Sequence, residues 1–241
     1  MLVAAAVCPC PPLLVPEVAA GAAPELDAAR DACADALGVL AAARPDRLVV
    51  VGPVAGPAGV SGHGAYPQGA RGSFRGFGVG LDVRLGHAED DGDGPRLPAS
   101  LAVAAWLLER AGWADAPIEG RAVGEGLAPA ACAAVGRETG ALAGRVALLV
   151  MGDGSACRTL KAPGYLDERA APFDAAVARA LATADTAALT ALDAPSASAL
   201  KVSGRAPWQV LAGAAEDADL TGSLLYEDAP YGVGYMVAVW S

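Results

Sequence analysis

Apolar residues along the chain fall into two kinds of run, continuous stretches and helical stripes. LVAAAV (2–7), DRLVVVGP (46–53) and RVALLVM (145–151) are continuous, the pattern of strands covered on both faces. VGLDVRLG (79–86) alternates like a half-exposed strand, and 222–240 reads as a closing strand, a turn and a last strand. Apolar positions at helical spacing predict helices over 24–43, 97–111, 127–139 and 171–184, with shorter ones over 186–192 and 205–215. In the 171–184 helix, Phe173, Val177 and Leu181 form one stripe.

Strands alternating with helices predict an α/β fold with a mostly parallel central sheet flanked by helices. With no internal repeat and 241 residues, residues 1–241 are expected to form a single domain. Two segments stand outside this alternation. The Gly-rich stretch 54–78 is too long for an ordinary connection and is expected to be a long loop. The acidic stretch 88–95 reads as a solvated turn.

Composition narrows the function classes. Apolar residues make up 54% of the chain, as in a compact globule. The net charge of −10 comes with no basic cluster, which disfavours nucleic acid and anionic membranes as partners. Lysine is confined to Lys161 and Lys201. The N-terminal run lacks basic residues and is cut by Pro9, Pro11 and Pro12, unlike a signal peptide or a spanning helix. Five irregularly spaced cysteines do not describe a disulfide framework, so a cytoplasmic protein with reduced thiols is expected. Association with further copies of itself stays open.

Several motifs can be set aside. Asp90, Asp91 and Asp93 lack the later Glu that closes a calcium loop. The glycines near 76–80 and 232–234 do not follow the strand–glycine–helix order of a dinucleotide site, and no phosphate-binding loop sequence is present. Ser155 lacks the flanking glycines of a nucleophile elbow, Asp153 and Cys157 standing in those places. His63 and His87 are the only histidines available as bases. Cys8, Cys10 and Cys157 all follow predicted strands, where thiols can react or hold a soft metal such as zinc, or simply pack as small apolar groups. Cys33 and Cys132 fall within helices and read as packing residues, as do the four tryptophans.

CPCPPLLVPE (8–17), LVVVGPVAG (48–56), MGDGSACR (151–158), KAPGY (161–165), PFDAAVARAL (172–181), KVSGR (201–205) and YEDAPYGVGYMVA (226–238) occur in that order. Together they resemble the class III (LigB-type) extradiol ring-cleaving dioxygenases, in particular the short Memo-related bacterial proteins. The resemblance implies a LigB-like, phosphorylase-like α/β domain. It also implies an Fe(II) site of two His and one Glu with a further His as acid/base. Carried over position by position, the metal ligands fall on Cys10, Val54 and Val202, and the acid/base on Ala156.

Val and Ala have no lone pair to offer a metal, so the resemblance implies a scaffold that has lost ring cleavage. The expectation is a binding protein, without a bound metal, for a small molecule or a protein partner. Cys8, Cys10, Asp153, Ser155, Cys157, Arg158, Glu227 and His63 are the candidate cleft residues. Two alternatives stand beside it: a repurposed enzyme using Cys10 and Cys157 as thiols or zinc ligands with Cys8, and a retained Fe(II) dioxygenase.

Overall fold

The computed structural model describes residues 1–54, 64–87 and 95–241. His63 and the Asp90, Asp91 and Asp93 turn lie outside these. β1 (Leu2–Cys8) is stopped by Pro9, Pro11 and Pro12, which cannot donate to a ladder. A 3-10 turn, the short α1 (Pro16–Ala19) and a 3-10 segment (Ala20–Leu26) lead into α2 (Asp27–Ala42) and β2 (Arg47–Val54). β3 (Gly64–Tyr66) and a ribbon of β4 (Arg71–Ser73) with β5 (Asp82–Arg84) precede α3 (Ala99–Arg110) and β6 (Ile118–Gly124). Then come α4 (Pro129–Gly140), β7 (Val146–Met151), α5 (Ala170–Ala182), α6 (Thr186–Thr190), α7 (Ala194–Ala199) and α8 (Arg205–Ala214). The chain closes with β8 (Gly222–Asp228) and β9 (Tyr235–Trp240).

Seven strands form one sheet in the order β3-β6-β2-β7-β1-β9-β8. The four central strands, β6 to β1, run parallel, while β3, β9 and β8 join antiparallel at the two sides. This is the expected α/β architecture with a parallel centre. Side-chain alternation distributes each strand between two cores. Leu48, Val50, Ala147 and Leu149 face the layer of α2 and α3. Val49, Val51, Leu148 and Val150 face the layer of α5 and α8. On β2 and β7 no polar face is left over, which is why these two strands read as continuous apolar runs. All four tryptophans are buried, as expected.

Some expectations need correction. The segment 54–78 is not one loop, because β3, β4 and a 3-10 turn (Arg75–Phe77) lie within it. The strand expected over 79–86 shrinks to Asp82–Arg84, with left-handed Gly78 (φ 84°) and Gly86 (φ 72°) turning the chain around it. β6 had no apolar signature, since Glu119 and Arg121 satisfy each other at 3.1 Å on its second face.

Helices α4 and α8 touch through their backbones. A Cβ on Gly136 would lie 2.1 Å from the Val210 carbonyl oxygen, and one on Gly213 would lie 2.3 Å from that of Ala133. Gly136→Val therefore has to push the helices apart. The expected cost is about 3 kcal/mol, or roughly 6–12 °C in Tm for a chain of this size, read by thermal denaturation.

Candidate functional site

β7 enters the sheet between β2 and β1, so the direction of strand progression reverses beside it. Such a switch point opens a crevice at the carboxyl ends of parallel strands. Here the segments that follow β1, β6 and β7, the turn before α8 and the start of β9 meet in one cluster. Its centre is Asp153. The Cys10 N–H donates to Asp153 Oδ1 at 2.8 Å, and the Asp153 N–H donates to Ser203 Oγ at 3.0 Å. Two glycines make this approach possible. A Cβ on Gly152 would fall 2.4 Å from the Gly204 Cα, so the two backbones meet directly, and the Gly204 N–H donates to the Asp153 carbonyl at 2.9 Å.

The electrostatics of this recess favour neutral groups. Burial pushes the Asp153 carboxyl up to about 7, against the pull of the Cys10 hydrogen bond, and the charge of Glu125 adds to the rise. Burial, and then the neighbouring Asp153, push the Cys10 thiol well above its ordinary value. Burial likewise raises the Tyr235 phenol, with Asp153 contributing. The recess thus offers a carboxyl that changes charge near neutrality beside a thiol, a serine hydroxyl and a phenol that stay protonated.

Arg205 holds one wall in place. Its buried guanidinium donates to Leu127 O and Gln209 Oε1, both at 2.8 Å, and to Glu125 O. That clamps the segment after β6, and Glu125 with it, against the start of α8.

Ser155 and Arg158 belong to a second centre, built on Asp174. This carboxylate is 1% exposed. It accepts the Ser155 N–H at 2.8 Å, the Ser155 hydroxyl at 2.7 Å and Arg158 Nη1 at 3.0 Å. Gly154 and Gly234 lie flat against it, since a Cβ on Gly234 would sit 2.5 Å from Asp174 Oδ2. Ser155, expected at the cleft rim, is fully buried and faces Asp174 instead. The turn after β7 is pinned further by Gly154 N–H to Gly234 O at 2.7 Å and Gly234 N–H to Ser155 O at 2.8 Å.

The three expected thiols do not gather. Cys8 points into the α2–α3 core, where a hydrogen bond with Cys33 is the leading cause of its raised pKa. Cys157 packs in the other core, its Sγ near Leu200 O at 3.5 Å and Gly164 O at 3.6 Å. Only Cys10 lines the recess. Among the described residues no group of three or more His, Cys, Asp or Glu side chains could hold a metal ion. The iron that the resemblance implies does not fit the donor set either, because Val54, Val202 and Ala156 carry only carbon side chains. Glu227 is exposed on edge strand β8, in a shallow hollow with Arg158, and lies outside the recess. His87 is far from it, lining a cavity of ≈ 310 Å³ with Trp113 and Ile118, where β6 begins.

Ser203, Glu125, Tyr235, Asp174 and Arg205 were not singled out from the sequence. Ser203, Arg205, Asp174 and Tyr235 do sit inside quoted segments (KVSGR, PFD and GVGY), and a polar residue beside a glycine is the signal that would have marked three of them.

Two measurements check this geometry. Asp174→Ala strands the Arg158 charge and two buried Ser155 donors, and should cost about 3–5 kcal/mol in urea denaturation. Asp153 binds its proton more tightly folded than unfolded. Its contribution is therefore full below the unfolded value of 3.8 and is lost as pH rises through about 7. Stability measured between those limits should fall with pH in the wild type and run flatter in Asp153→Asn.

No family model and no curated protein matches the chain. Among solved structures, the crystal structure of uncharacterized protein JW3007 from Escherichia coli K12 is similar over 99% of this chain and 99% of that one. The TM-score is 0.54 at 16% identity, a likeness of fold.

Proposed function

We propose that this chain is a LigB-like domain that no longer performs Fe(II)-dependent ring cleavage and instead binds a small polar molecule in the strand-end recess. The observation that carries this reading is the Cys10–Asp153–Ser203 network. Cys10 is one of the positions that the resemblance assigns to the metal and Ser203 follows another, Val202, and both hydrogen-bond with Asp153, whose carboxyl titrates near neutrality. Binding at such a site needs a few oriented polar groups, and the contact of Gly152 with Gly204 fixes the spacing of those that flank it.

The thiol alternative has less support. A nucleophilic cysteine is a thiolate in an electropositive setting, whereas Cys10 lies beside Asp153 and its thiol is pushed upward. Cys157, its suggested partner, belongs to the opposite core. All five cysteines are unpaired, which keeps a cytoplasmic setting within this proposal. Among the described residues no helix is long and apolar enough to cross a membrane.

Two experiments test the reading. Anaerobic loading with Fe(II), followed by catechol and O₂, should give no coloured ring-cleavage product; a coloured product would overturn the loss of activity. Thermal-shift screening of small carboxylates, amides, amines and catechols, with chelator present, should find a class that raises Tm in the wild type. That stabilisation should vanish in Ser203→Ala and Asp153→Asn. Stabilisation that survives both substitutions would place the ligand elsewhere and refute the recess as the site.

A further inference from the structure

Beyond the recess, the segment 158–166 forms a hollow of ≈ 730 Å³ with the turn at Pro230 and Tyr231. Its composition departs from the rest of the chain. Arg158 and Lys161 line it, together with Leu160, Leu166, Pro230 and Tyr231, and no Asp or Glu does. The protein has a net charge of −10 and two lysines, and both lysines lie in or against this segment. Lys201, also exposed, lies against it, its Cδ 2.9 Å from where a Cβ on Gly164 would be.

The cationic groups here are presented rather than merely exposed. Arg158 gives Nη1 to the buried Asp174, a tether that holds one end of the guanidinium. Asp174 is the one acceptor that the described residues offer this guanidinium. A guanidinium has five donors in a rigid fork, so most of its capacity is unused. The apolar groups are equally unsatisfied, with Leu160 63% and Leu166 43% exposed. Neighbouring large apolar side chains left in water mark contact sites more often than they mark ordinary surface.

The backbone that carries them is built. Arg158 N–H donates to Gly232 O at 3.0 Å, Gly164 N–H to Ala156 O at 2.8 Å and Asp167 N–H to Cys157 O at 3.0 Å. Tyr165 is held in the left-handed region at φ 61°. A ligand would meet a wall already ordered.

We propose that this hollow binds an amphipathic organic anion, a carboxylate or phosphate head on an alkyl or aryl body. The head lies between Arg158 and Lys161, and the body lies against Leu160, Leu166 and Tyr231. The shallow hollow on the other side of Arg158 carries Glu227 and Asp228, whose charges keep the anion on the Lys161 side. None of Cys10, Asp153 and Ser203 lines the hollow, and its occupancy does not depend on the recess.

The test is an amide chemical-shift titration of the full chain with octanoate, octyl phosphate and octyltrimethylammonium. Both anions should shift the amides of 158–166 and 230–232 and saturate at one equivalent, the cation should not, and the tighter anion names the preferred head. Lys161→Glu and Leu160→Ser alter exposed side chains and should each weaken anion binding at least tenfold, while Ser203→Ala leaves it unchanged. Equal binding of the cation, shifts confined to residues around Asp153, or anion affinity unaltered in both surface variants would each overturn the proposal.

Discussion

A single buried carboxylate organises the functional end of this molecule. Asp174 enters the core from the N-terminal part of α5 and collects two donors from Ser155 and one from Arg158. A charge so buried is tolerable only when every nearby donor is aimed at it. That requirement fixes the turn after β7, draws the glycines at 154 and 234 against the oxygens, and sets the direction of the Arg158 fork. The recess and the basic hollow are therefore two outcomes of one constraint. On one side the turn delivers Asp153 to the strand ends, and on the other it delivers Arg158 to the surface.

The two sites differ in electrostatic character. Around Asp153, low polarity and neighbouring acids hold protons on groups that would be freer in water. Around Arg158 and Lys161, cationic side chains stand beside exposed apolar ones. The ligand proposed for the first works through hydrogen bonds, and the one proposed for the second brings a charge of its own. One fold carries both because its sheet is covered on both faces, which leaves the strand ends and their following turns as the places where polar groups concentrate.

Much of the fold was legible in the sequence for a physical reason. Strands buried on both sides must be apolar throughout, and such runs stand out without any structure, as LVVV at 48–51 does. β6 escaped notice because Gly120 admits the neighbouring Leu85 and because Glu119 and Arg121 neutralise each other, leaving no continuous run. The site was legible to the extent that it follows strand ends, as Cys10 and Asp153 do. Ser203 and Tyr235, marked locally only by a neighbouring glycine, join them through long-range packing. Ser155 and Cys157 illustrate the opposite case. They flank Ala156 in the right turn, yet side-chain direction sends one to Asp174 and the other into the far core.

The meeting of Gly152 with Gly204 has an implication for how such a site can change. The spacing between the β7 end and the turn before α8 is set by main chain against main chain, with no side chain between them. The neighbouring positions 10, 153 and 203 can therefore exchange one functional group for another while the distances among their backbones stay fixed. Chemistry and geometry are separable at this floor. A recess of this kind is a socket whose contacts can be rewritten one residue at a time without rebuilding the scaffold that holds them.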